Sequence, residues 1–298
     1  MRFRPRAAAR LIHRLLRTAF RRVARRQGNT ALFPDLRGGY VGSALAPVHG
    51  ATRDPAGLRD TTIVITSASA ELLAISRSLL DEEWPIYVID GSQGRYGLAA
   101  IRHAIENVSA RRAVLLDEDA FVLDNERLRD LVASSAQRGL DAVGVPDGGV
   151  VGMRVHNPNA LNPFFNILDL ASIRRVWDAE QCLSWMGRGS EMTAPWPPAS
   201  LLKPEVPYVF DDYEPYYCFY FWLNHVGLTT GYLNAYTHSD GVSTVVLDHE
   251  QRPLVVHSWY ARKFDDGPMR DRILDVVAFA RGEGDRCERW RGRDWSRS

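Results

Sequence analysis

Ala113-Val114-Leu115-Leu116-Asp117-Glu118-Asp119 is a short apolar run that ends in three consecutive carboxylates. An apolar stretch of this length bounded by polar residues reads as a buried strand. Delivering three like charges to a strand end is costly without a counter-ion. A divalent cation supplies one, and Mg²⁺ or Mn²⁺ prefers carboxylate oxygens together with phosphate. If the segment stays extended, Asp117 and Asp119 point to one side and Glu118 to the other. The plainer alternative is a solvated acidic turn ahead of a helix capped by Asn125 and running to about Arg138.

Outward from this run the chain alternates regularly. Thr62 to Thr66 predicts a strand, Glu71 to Leu80 a helix, Ile86 to Asp90 a second strand and Leu98 to Val108 a second helix. Alternation at these lengths implies βαβαβα, a parallel sheet covered on both faces. In such a sheet, ligands bind outside the carboxyl ends of the strands. Three polar clusters fall there: Thr66-Ser67-Ala68-Ser69, Asp90-Gly91-Ser92 and Asp117-Glu118-Asp119.

This order of features resembles the GT-A fold glycosyltransferases, in particular the family 2-like enzymes that use nucleotide sugars. The match covers about residues 61–125. Small polar residues end the first strand, an Asp turn ends the second, a helix with Gly97 and Arg102 follows, and an apolar strand runs into a DxD-like motif. The resemblance implies an α/β fold of GT-A type, a mostly parallel nucleotide-binding sheet flanked by helices. It implies a metal-dependent transfer of a sugar from a nucleotide-diphosphate sugar to a hydroxyl of a glycan or lipid-linked acceptor, with inversion. On it, Thr66, Ser67, Asp90, Arg102, Asp117, Glu118 and Arg262 bind the donor, and Asp117, Asp119 and His257 hold Mn²⁺ or Mg²⁺. His257 ends a second apolar strand, Pro253 to Val256, and Arg262 follows it. The plain reading of His257 is a buried histidine bonded to backbone, and imidazole also completes a carboxylate site for Mn²⁺.

An inverting transferase needs a carboxylate to accept the hydroxyl proton. Asp211, Asp212 and Glu214, at the start of a helix, are the candidates, and capping is the structural alternative. Trp196, Tyr208, Tyr213, Tyr216 and Trp259 suit stacking on sugars or simple packing. Asn157-Pro158-Asn159 and Asn162 to Asn166 read as a polar loop near the acceptor. The chain departs from the family in the middle Glu of its DED motif and in a single aspartate, Asp90, at the second turn. The absence of QxxRW argues against a long-chain synthase.

The chain has 298 residues and a net charge of +1, unevenly spread. Arginines crowd the first 26 positions and the first acidic residue is Asp35, so the remainder is mildly acidic. A nucleic-acid-binding domain is therefore not expected. Residues 7–26 form a basic amphipathic pattern that suits an anionic membrane surface, a targeting presequence or a packed terminal helix. The 3 cysteines show neither a disulfide framework nor zinc spacing, which fits a reducing compartment. With no membrane-spanning apolar run and no secretory signal, the expectation is a soluble cytoplasmic protein, peripheral at the inner face of the membrane.

The expected organisation is a basic helix over 1–27, a linker over 28–60, a catalytic domain over 61–265 and a C-terminal helix and tail over 266–298. The catalytic domain divides into a nucleotide-binding half, 61–142, and an acceptor half, 143–265. In the second half, residues 164–180 and 213–225 predict helices, while 228–236 and 243–257 predict extended segments. Asp271 to Arg281 predicts a further helix. Competing readings are a haloacid-dehalogenase-like phosphatase, which needs Lys203 and a distal acidic pair, a sugar nucleotidyltransferase, and a non-catalytic membrane-surface protein on a degenerate transferase fold.

Overall fold

The computed structural model describes residues 43–44, 60–92, 94–147, 156–192 and 208–283. The helix expected over 7–26, most of the expected linker, Trp196, Lys203 and the tail after 283 lie outside them.

The chain order begins with β1 (Ser43–Ala44), β2 (Thr61–Ser67), α1 (Ala70–Ser78), β3 (Ile86–Asp90), α2 (Leu98–Asn107) and β4 (Arg112–Asp117). It continues through β5 (Ala120–Val122), α3 (Asn125–Gln137), β6 (Ala142–Pro146), β7 (Leu161–Asp169), α4 (Leu170–Val176) and α5 (Ala179–Ser184). Last come α6 (Tyr217–His225), β8 (Thr230–Tyr232), β9 (Ala235–Thr237), β10 (Thr244–Leu247), β11 (Pro253–His257) and α7 (Gly267–Ala280).

Two sheets carry the fold. The first has seven strands in the order β1-β3-β2-β4-β7-β6-β8, and the second has four in the order β5-β11-β10-β9. β2 pairs in parallel with β3 and β4, and β6 in parallel with β8. β7 lies antiparallel between β4 and β6, so five of the seven strands point one way. The large sheet is thus mostly parallel and flanked by helices, as expected, with β7 and the edge strand β1 reversed. β1 falls inside the expected linker and pairs with Tyr87 and Val88 of β3.

The local chemistry of these elements is ordinary. β4 is buried along nearly its whole length because both of its faces are covered, which is why it reads as an unbroken apolar run. Ile63, Ile65, Val114, Leu116, Phe164, Phe165 and Val143 pack with Leu128 and Val132 of α3 into one core. A second core joins Leu72 of α1, Phe121, Val245 and Val256 of the small sheet, and Met269, Ile273, Val276 and Val277 of α7. Each fully buried Leu, Ile, Val or Phe contributes about 1.5–3 kcal/mol relative to exposure.

Two expectations are corrected. Residues 164–180 do not form a helix: β7 runs to Asp169, and the short helices α4 and α5 follow. β7 is buried on both faces, so it lacks the alternation that marks a half-exposed strand. Its polar members pass unnoticed because they are satisfied inside: Asn162 Nδ2 donates to Asp147 Oδ1 at 2.5 Å, and Asn166 Nδ2 donates to the Asn162 carbonyl at 2.8 Å. Pro163 sits past the last pair of the β4 ladder, Leu116 with Phe165, where no amide is required of it on that side. The second correction concerns α3, whose cap is Asp124, accepting from Arg127 N at 3.0 Å. Asn125 instead accepts from the Trp84 indole at 3.1 Å.

Candidate metal centre

The acidic turn is the joint between the two sheets. β4 ends at Asp117, the chain turns through Glu118 and Asp119, and β5 opens the small sheet at Ala120. The segment is a turn rather than extended, yet its side chains still diverge as alternation implied. Glu118 Oε2 accepts from Ser67 Oγ at 2.6 Å, from Ala68 N at 2.8 Å and from Ser69 N at 2.6 Å. This carboxylate therefore organises the β2–α1 connection, where Ser69 caps α1.

Asp117 and Asp119 meet His257 instead. One ligand atom from each of the three lies within 4.8 Å of the others. The meeting follows from strand register, since β11 pairs with β5 and places His257 opposite Ala120, next to Asp119. Asp119 Oδ1 is 3.1 Å from His257 Nε2. That separation suits neighbouring ligands of one octahedral ion, which sit roughly 3 Å apart for metal–oxygen bonds of about 2.1 Å. The imidazole is stacked on Phe164, with centroids 4.2 Å apart and planes at 15°, and Trp259 covers it at 4.2 Å. Ser258 N donates to the Asp119 carbonyl at 2.9 Å, and Ser258 Oγ to Asp119 Oδ2 at 3.4 Å.

The electrostatics fit a missing positive charge. Burial pushes the Asp117 carboxyl up to about 7; the charge of His257 opposes this, repulsion from Asp119 and Glu118 adds to it, and Arg262 opposes it more weakly. Asp117 is half-buried and Asp119 buried, but the charge and hydrogen bond of His257 hold the Asp119 carboxyl below the usual range. Two carboxylates and an imidazole are a donor set for Mn²⁺ or Mg²⁺, and the uneven charge balance at Asp117 is what such an ion would correct.

The other donor candidates spread along the same sheet edge. Thr66 lies beside Asp117 in register, and Ser67 beside Asp90. Ser67 Oγ is engaged with Glu118. Asp90 is exposed and accepts from Ser92 N at 2.8 Å, and its hydrogen bonds to Ser92 hold its carboxyl below the usual range. Arg262 lies over the ring of Tyr96, 4.4 Å from its centroid, and is near enough to Asp117 to favour its ionised form. Arg102 pairs with Glu106 of its own helix at 2.7 Å on a partly exposed face.

Of the acceptor-side candidates, Asp211 is buried and lies 3.3 Å from His156 Nδ1, whose ring stacks on Tyr213 at 3.5 Å. Asp212 Oδ2 accepts from Gly189 N at 2.8 Å. The Glu214 carbonyl accepts from Tyr217 N at 3.1 Å in the turn that leads into α6. The expected polar loop at 157–166 is largely interior, with Asn157, Asn159, Asn162 and Asn166 all buried.

Several residues escaped the sequence reading. Asp147, fully buried at the carboxyl end of β6, accepts from Asn162, from Tyr216 Oη at 3.1 Å and from Tyr217 Oη. Tyr220 Oη donates to Asn166 Oδ1, and burial with the charges of Asp147 and Asp117 raises its phenol well above its ordinary value. His156 and Phe164 carried no local signal, whereas the aspartate that ends the next strand of an α/β pattern was a readable one.

No family model matches the chain, and no curated protein matches it. Among solved structures, the mannosyltransferase PcManGT from Pyrobaculum calidifontis, in complex with GDP-Man and Mn²⁺, is 11% identical with a TM-score of 0.30. The likeness covers 52% of this chain and 56% of the mannosyltransferase, little more than half its length. A protein from STIV is 13% identical over 65% of this chain and 93% of its own, with a TM-score of 0.32. Likenesses at this level assign no family. Among the described residues no helix is long and apolar enough to cross a membrane.

Proposed function

We propose that the chain is a glycosyltransferase that moves a sugar from a nucleotide-diphosphate sugar to an acceptor hydroxyl. The observation that carries this reading is the convergence of Asp117, Asp119 and His257 at the carboxyl edge of a mostly parallel sheet. These three residues would hold Mn²⁺ or Mg²⁺, which supplies positive charge against a departing diphosphate.

The chain's own groups divide the remaining tasks. Asp90, exposed at the end of β3, accepts hydrogen bonds from the nucleoside. Arg262 offers a planar pair of donors to phosphate oxygens, held in place by the Tyr96 face. Asp211 sits on His156 Nδ1 and so fixes the orientation of that imidazole, whose side chain is 20% exposed. In this reading the Asp211–His156 pair takes the acceptor proton, and Asp212, bonded to the Gly189 amide, shapes the loop around it. The acceptor belongs to the glycan or lipid-linked class, and the basic segment 7–26 suits a lipid surface.

The experiment is the thermal stability of the purified chain with UDP, GDP, TDP and CDP, each with Mn²⁺ and with EDTA. The reading expects a Mn²⁺-dependent rise with one nucleotide that vanishes in Asp119→Ala. No rise with any nucleotide would contradict it.

A further inference from the structure

The turn that follows His257 adopts a conformation that its own residues disfavour. Trp259 and Tyr260 have φ of 60° and 65°, both in the left-handed region. Two consecutive bulky residues there persist only when their surroundings over-determine them. The surroundings come from α7. Arg272 Nη2 donates to the carbonyls of Ser258 at 2.5 Å and Trp259 at 2.9 Å. Its Nη1 donates to Asp240 Oδ2 at 2.7 Å and to Ser243 Oγ at 3.0 Å.

The Arg272–Asp240 pair is buried completely, with 0% exposure on both sides. Asp240 is itself fixed, since its Oδ1 accepts from Val242 N at 2.9 Å and Ser243 N at 2.7 Å. A buried ion pair adds little net stability against an apolar replacement, so its placement calls for another reason. Ser258 supplies that reason. The carbonyl held by Arg272 belongs to the same residue whose amide and hydroxyl contact Asp119. His257 precedes that residue, and Arg262 follows two residues after the strained pair.

We propose that Arg272, braced by Asp240, is a positioning residue for the metal centre: it locks the Ser258–Tyr260 turn and thereby sets Asp119, His257 and Arg262 in register with one another. This rests on the reading of Asp117, Asp119 and His257 as cation ligands. Arg272 touches none of the reacting groups; its charge also favours the ionised form of Asp119, so Arg272→Lys, which keeps the charge, isolates its hold on the turn. A merely structural pair would hold α7 on the small sheet without tuning the centre.

Two readouts on the full chain separate these roles: Mn²⁺ affinity, followed by loss of the free-ion spin-resonance signal, and amide hydrogen exchange. The variants are Arg272→Lys and Arg272→Met, each alone and combined with Tyr260→Gly. Lysine keeps a charge for Asp240 but lacks the fork that reaches two carbonyls. Arg272→Lys should weaken Mn²⁺ binding by about tenfold, the scale seen for residues that orient metal ligands. Exchange should accelerate across residues 257–263 and stay unchanged in the large sheet. The glycine at 260, which adopts positive φ freely, should restore part of the lost affinity. If Arg272→Met fails to fold, Arg272→Lys with and without Tyr260→Gly decides the matter. Wild-type affinity and exchange in a folded Arg272→Lys chain would overturn the proposal, as would acceleration spread evenly over both sheets. A wild-type chain that binds no Mn²⁺ would instead overturn the metal-centre reading, and with it the claim on affinity. Unchanged exchange in 257–263 would overturn the lock alone.

Discussion

The chain carries two acidic runs, and the fold treats them in opposite ways. Asp117-Glu118-Asp119 hands one carboxylate to backbone amides and brings the other two together beside a single imidazole. Asp211-Asp212 separates its charges: one carboxylate faces His156 and the other accepts the Gly189 amide. In the first run burial and repulsion leave a carboxyl pushed up to about 7. The difference teaches that carboxylates adjacent in sequence are informative only after each has been assigned a partner. Convergence without matching positive charge is what points to a cation.

Substitutions can break this contrast, and the largest effect is expected at the centre. Asp119→Ala should lower transferase activity on the order of 10²–10³-fold or more and abolish Mn²⁺ dependence, as kinetics at saturating donor would show. Asp240 provides a control, a buried carboxylate with a full cationic partner. Asp240→Asn should cost about 3–5 kcal/mol in denaturant unfolding, because it strands the Arg272 charge. Burial would raise the Asp240 carboxyl, but the His238 ring 3.8 Å away and hydrogen bonds from Ser243 and Val242 hold it well below its ordinary range. A depressed carboxyl stabilises the fold above its unfolded pKa of about 3.9 and loses that contribution as pH falls through the folded value. Unfolding midpoints below pH 4 should therefore drop more steeply in the wild type than in Asp240→Asn.

Asp211→Asn tests the second run. It should reduce activity by about 10²-fold while Mn²⁺ affinity, measured by calorimetry, stays at the wild-type value. Glu118→Gln should cost about 1–3 kcal/mol of stability, since one oxygen accepts three donors at the β2–α1 connection. The smallest effect belongs to Arg102→Ala, whose partly exposed pair with Glu106 contributes at most about 0.5 kcal/mol. A large loss of donor affinity in that variant would show that Arg102 reaches the nucleotide.

Legibility followed locality. β2, β3 and β4 stood out because their Val, Ile and Leu runs end in Asp, Gly and Ser, and those ends became the sheet edge that carries Asp90 and Asp117. β7 was misread because its asparagines are satisfied by Asp147, Tyr220 and backbone, partners that no local pattern reveals. His257 was visible as the polar end of an apolar strand. Its meeting with Asp119, 138 residues away, depends on the β5–β11 register, which is a property of the folded sheet. Arg272 left a faint trace, a charge set among Met269, Ile273 and Val276 on the apolar stripe of α7. His156 left none, because the partners that define it, Asp211 and Tyr213, are far away in the sequence.

The central claim is that Asp117, Asp119 and His257 form one cation site. Calorimetric titration of the nucleotide-free chain with Mn²⁺ tests it most directly, with Asp119→Ala alongside. The account predicts one ion bound per wild-type chain and none by the variant. A wild-type chain that takes up no Mn²⁺, or a variant that binds as tightly as the wild type, would contradict it.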